Sequence, residues 1–182
     1  MKVIKKILAL FLACCLVSSQ LFMVRLADNA VAISVSSGYG SRGDTVDISV
    51  KISGNSQMQA LGFDIEYDSD ALEVVSATKG TVANAGQAVI NQSKLGKIVY
   101  SFVSVSEAIT AAGSVLDITF RIKDDSPYGN STVAILLTEI TDGSFNEIAA
   151  TTTDGIVAVN APVLDAPSFL NVEEVYDNAI TV

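Results

Sequence analysis

Residues 60–80 read ALGFDIEYDSDALEVVSATKG, and the fold follows from how this stretch alternates. Leu61, Phe63, Ile65 and Tyr67 fall on one face, while Gly62, Asp64, Glu66 and Asp68 fall on the other. A period of two, carried by β-branched and aromatic residues, predicts a half-buried strand. Asp68-Ser69-Asp70 follows with short side chains that bond their own backbone, so the chain turns there. Leu72 to Ala77 is a second apolar run that stops at Lys79-Gly80. Strand, corner, strand is the expected local structure.

The same pattern repeats on both sides. Upstream, Ile33 to Ser36 is a short strand, and residues 37–44 form a glycine-rich loop. Val46, Ile48, Val50 and Ile52 then alternate with Thr45, Asp47, Ser49 and Lys51. Downstream, Ala88 to Asn91 and Lys97 to Val103 form a hairpin, and a loop with weak helical character spans Glu107 to Ala111. Ser114 to Lys123 alternates strongly, and Thr132 to Ile140 is the most continuously apolar strand and so should be central in its sheet. Phe145 anchors an edge segment through Ala149, and Ile156 to Asn160 is the last strand. About nine short strands with regular turn signals and no amphipathic helix predict an all-β antiparallel sandwich.

The N-terminus has a different character. Lys2, Lys5 and Lys6 precede the apolar run Ile7 to Val17, and Ala30-Val31-Ala32 has the small-x-small form of a cleavage site. We read residues 1–32 as a secretory signal cut after Ala32, which leaves no stable membrane insertion and an extracellular or cell-surface protein. Cys14 and Cys15 lie inside it, so the exported chain has no disulfide and no thiolate. Its formal charge becomes −12, against −9 for all 182 residues. That acidity excludes nucleic-acid binding, which needs a basic footprint. After a sandwich over 33–160, Ala161 to Pro167 is a stiff proline-containing linker.

The chemistry that remains is narrow. With no His anywhere and no mature Cys, neither a nucleophile–base pair nor an imidazole metal site can form. The carboxylate pairs Asp68/Asp70, Asp124/Asp125 and Glu173/Glu174 sit in turns or the tail, as solvated residues do. None has the spacing of a calcium loop. We therefore expect no enzyme activity, no metal and no cofactor. Tyr39 and Tyr128 lie in turns and are the candidates for sugar stacking.

An ordered set of motifs points further. It comprises Gly43-Asp44, Leu61 to Asp68 with Leu72-Glu73-Val74, Gly96 to Phe102, Ile118 to Lys123, Gly143-Ser144-Phe145 and Asp154 to Val159. Together these resemble a cohesin domain over about Ile33 to Asn160. Residues 168–182 resemble the truncated start of a fibronectin type III domain. The cohesin resemblance implies a nine-stranded jelly-roll sandwich that docks dockerin domains of polysaccharide-degrading enzymes on one sheet. Transferred by position, the partner-binding residues are Ala60, Gly62, Asp64, Glu66, Val99, Ser101, Val103, Glu147 and Ala149. Family members that bind type I dockerins often carry Asn and Asp where this chain has Ala60 and Gly62. The acidic Asp64 and Glu66 would call for Lys or Arg on the partner. The alternative reading is a carbohydrate-binding or adhesive surface sandwich, or a spacer beside fibronectin-like modules.

Overall fold

The computed structural model describes residues 30–54 and 56–163. The charged start and apolar run of the expected signal, the end of the linker and the fibronectin-like segment lie outside the described residues. The first strands are β1 Val31–Val35, β2 Gly38–Gly40, β3 Thr45–Ile52 and β4 Ala60–Tyr67. The central ones are β5 Leu72–Lys79, β6 Gln87–Asn91, β7 Lys97–Val103 and β8 Gly113–Ile122. β9 Gly129–Thr141, β10 Ala150–Thr153 and β11 Gly155–Val159 complete the set. One 3-10 turn spans Val82–Ala85.

Two sheets face each other. One has the order β10-β1-β3-β8-β5, and the other β2-β11-β9-β4-β7-β6. Alternation along each strand fills the space between them. From the first sheet come Ile48, Val50, Leu116, Ile118 and Phe120, and from the second Leu61, Phe63, Ile65, Ile98 and Tyr100, all buried. Each such side chain contributes about 1.5–3 kcal/mol by leaving water. Phe63 and Tyr100 are paired across β4 and β7, and their rings stack with centroids 4.7 Å apart. Tyr67 meets Phe120 of the opposite sheet at 5.0 Å. The Tyr100 hydroxyl has no hydrogen-bond partner among the described residues, and burial pushes its pKa upward.

The expectation of nine antiparallel strands needs correction. The described residues form eleven, and two pairs are parallel: β1 with β10, and β2 with β11. Each pair belongs to a different sheet, so the chain changes sheets twice at one corner, once between β1 and β2 and once between β10 and β11. Small residues permit this crossing. A Cβ on Gly38 would come within 2.4 Å of Val46 Cγ1, and one on Gly155 within 2.3 Å of the Ser36 carbonyl oxygen. The Ile156 N–H donates to Ser37 Oγ at 3.0 Å and ties the two crossings together.

Other departures are local. The segment Glu107 to Ala111 is not helical. Ile109 forms a bridge with Met58, and the buried Ser56 hydroxyl donates to its carbonyl at 2.6 Å. The late edge strand is Ala150–Thr153 and not the stretch that begins at Phe145. Thr132 to Ile140 is central as expected, flanked by β11 and β4.

β1 begins at Val31, ahead of the boundary at 33. Val31 is 4 % exposed, its N–H donates to Ala149 O at 2.9 Å, and Ala32 pairs with Thr151. Cleavage after Ala32 would remove both residues from the strand. A chain starting at 30 should therefore be more stable than one starting at 33 by about 2 kcal/mol, mainly the burial of Val31. Thermal unfolding should show a gap of roughly 6 °C. Equal melting temperatures would mean that Val31 contributes nothing.

Candidate docking face

The outer surface of the six-stranded sheet is read most directly across its strands. The register places Asn91, Val99, Asp64 and Leu136 in one row over β6, β7, β4 and β9. Val89, Ser101, Gly62 and Glu139 form the next, and Gln87, Val103, Ala60 and Thr141 the third. Because side chains alternate, the large residues of these strands point into the core and these smaller ones face solvent. Val89, Val99, Val103 and Leu136 are all exposed, Leu136 by 47 %. Val89, Val99 and Val103 adjoin one another on β6 and β7, and Leu136 stands across β4 from Val99, beyond Asp64.

Gly62 is buried although it faces outward. The ladder between β4 and β9 slips between Gly62 and Phe63, where β9 inserts Thr138. A Cβ on Gly62 would approach Thr138 Oγ1 to 2.7 Å. The bulge therefore lays Thr138 over the glycine and keeps the centre of the face flat.

Two of the carboxylates on this face share one cation, while Glu139, beside Gly62, is exposed and in no ion pair among the described residues. Lys97 stands opposite Glu66 in the β4–β7 ladder. Its Nζ lies 2.5 Å from Asp64 Oδ2 and 3.7 Å from Glu66 Oε1. The hydrogen bond with Asp64 holds the Lys97 ammonium above its ordinary pKa, and Glu66 adds to the effect. Cross-strand register thus supplies one cation to the two carboxylates from the chain itself, and Glu66 stays half exposed.

Residues 30–159 match the model of the cohesin domain family. The chain belongs to the cohesin domain family. Solved cohesins share its fold. The sixth cohesin of scaffoldin B from Acetivibrio cellulolyticus, solved with a mutant dockerin, is 25% identical with a TM-score of 0.66, covering 72% of this chain and 99% of that one. A type I cohesin–dockerin complex from Clostridium thermocellum gives 25% identity and a TM-score of 0.62, with coverages of 72% and 94%. A non-cellulosomal cohesin from the archaeon Archaeoglobus fulgidus gives 17% and 0.65, with coverages of 72% and 92%. Sequence comparison with curated proteins gives no match.

Within this cohesin, Ala60, Gly62, Asp64, Glu66, Val99, Ser101 and Val103 come together on the one outer face. Glu147 bridges Thr141 at the end of β9 and so lies at the margin. Ala149 does not join them, because it leads into β10 and its carbonyl accepts from β1 of the opposite sheet. Leu136, Val89 and Lys97 belong to the face and are missing from the set that the sequence suggests. The apolar run Thr132 to Ile140 contains the signal for Leu136, but a continuous apolar run reads as a strand buried on both sides.

Cohesin domains are non-catalytic docking modules, and one carboxylate of each described pair has a structural partner. Asp68 Oδ1 accepts from the Asp70 N–H at 2.9 Å, and Asp124 pairs with Arg121 at 3.0 Å. No group of three or more potential ligands that could hold a metal exists among the described residues, and none of their helices is long and apolar enough to cross a membrane. Of the two candidate stacking rings, Tyr39 is exposed, while the Arg42 guanidinium lies over the Tyr128 ring at 3.9 Å.

Proposed function

We propose that this cohesin domain is an exported docking module that binds a dockerin domain on the outer face of β6, β7, β4 and β9. The observation that carries the reading is the set of exposed aliphatics Val89, Val99, Val103 and Leu136 placed around the side-chain-free centre at Gly62. Ala60 and Gly62 offer no side-chain hydrogen bonds, and Asp64 and Glu66 are held by Lys97. The partner therefore meets the face with apolar side chains, and the ion pair sets register at its edge. Solved relatives that carry dockerins support the identity of the partner class. The bearer of the dockerin is a polysaccharide-degrading enzyme, and the Lys-rich start with its apolar run directs export.

Affinity capture from the native secretome tests this. The exported chain should recover dockerin-bearing proteins, and the recovered set should be enriched in glycoside hydrolases. Retention on insoluble polysaccharide with no dockerin recovered would overturn the docking reading.

A further inference from the structure

One aromatic residue stands against the logic of the fold. Phe145 is 88 % exposed and has φ 63°, a left-handed conformation that a bulky side chain rarely adopts. The sequence predicts that Phe145 anchors an edge strand from within. The structure turns it outward instead.

The turn that holds it is strongly bonded. Asp142 Oδ1 accepts from the Ser144 and Asn146 N–H groups at 2.8 and 2.9 Å, and its Oδ2 accepts from Asn146 Nδ2 at 2.9 Å. The Asp142 carbonyl accepts from the Phe145 N–H at 3.1 Å, and the Asn146 carbonyl from the Asp142 N–H at 3.0 Å. The hydrogen bond from the Asn146 side chain, and those from the Asn146 and Ser144 N–H groups, keep the Asp142 carboxyl below the usual carboxylate range. Behind the turn, the end of the Gln59 side chain packs against Gly143. Such a turn presents the ring in one place and reduces the ordering cost of a contact.

What lies beside the ring is also apolar. A shallow groove of about 180 Å³ runs from Phe145 to Val105, which is 92 % exposed, and its floor includes Ala60 and Val103. Those last two residues belong to the docking face, so the groove continues that face past the ends of β4 and β7. Ser104, the neighbour of Val105, is buried, and the Ser104 hydroxyl donates to the Glu107 carbonyl at 2.6 Å.

We infer that Phe145, with Val105, forms a preset apolar anchor that clasps an apolar side chain of the dockerin docked on the adjoining face. This rests on the docking reading above and extends its surface beyond the strands. An aromatic side chain that becomes fully desolvated in a pocket of the partner supplies affinity that polar handles do not supply here.

The full chain should be titrated calorimetrically against each isolated dockerin domain encoded in the same genome. Wild type, Phe145→Gly and Val103→Glu are compared, with melting temperatures alongside. Glycine suits the left-handed turn, so Phe145→Gly should melt within about 3 °C of wild type. Its affinity should fall roughly 10-fold. If Phe145→Gly binds within twofold of wild type while Val103→Glu fails, the anchor is overturned and the face stands. If neither variant loses affinity, or no dockerin binds, both readings fall. Self-association of the wild type that Phe145→Gly abolishes, with dockerin affinity unchanged, would make a second copy the occupant and would likewise overturn the anchor.

Discussion

The double variant Val103→Glu/Leu136→Glu is expected to bind dockerin at least about 100-fold more weakly than wild type, with little change in folding. Both side chains are about half exposed and flank the strands at the centre of the face. In the free protein each new carboxylate remains in water, so unfolding should move by no more than about 0.5 kcal/mol per site. In the complex each is desolvated with no cation to meet it, since Lys97 is already engaged by Asp64. The carboxylate introduced by Leu136→Glu would also stand beside Asp64 in the ladder, adding like-charge repulsion. Isothermal calorimetry with a recovered dockerin, together with a melting curve, measures both terms. Affinity within a few-fold of wild type would place the contact elsewhere. Gly62→Arg, the obvious central change, is less clean. Its Cβ must displace Thr138, so it perturbs the β9 bulge as well as the contact.

The largest loss of stability is expected from Phe63→Ala. Phe63 is fully buried, stacks on Tyr100 and sits where the ladder to β9 resumes after the bulge. Removing the ring leaves a cavity that neighbouring strands cannot close without breaking register, so the cost should be about 4 kcal/mol. That is a large share of the roughly 5–15 kcal/mol by which a domain of this size is stable. Melting should fall by roughly 12 °C, and the denaturant midpoint should fall with an unchanged slope. A cost below about 1 kcal/mol would show that the core repacks. The docking face lies on the other side of the same strand, so dockerin affinity per folded molecule should be preserved. This separates the two roles of β4.

The two results depend on information of different range. Period-two alternation is local, and it is sufficient to identify β3, β4, β7 and β8 and the inward set of Ile48, Phe63, Tyr100 and Phe120. The absence of His, and of Cys outside the first residues, is likewise read from composition alone. The ordered motifs are enough to suggest the cohesin fold, which the family match places on the same stretch. Even the outward residues of β4 and β7 are legible, because a residue's side of a strand follows from parity.

What the sequence left undecided depended on register between segments distant in the chain. Lys97 and Asp64 are 33 positions apart, and only the β4–β7 ladder makes them an ion pair. Thr138 covers Gly62 because of one extra residue in β9, a slip that inverts alternation and has no local signature. The exposure of Leu136 and the corner where two parallel ribbons change sheets follow from which strands become neighbours. Phe145 shows the same limit. A phenylalanine between polar residues looks like a buried anchor until the Asp142 turn, closed by its own hydrogen bonds, forces a positive φ and aims the ring at solvent.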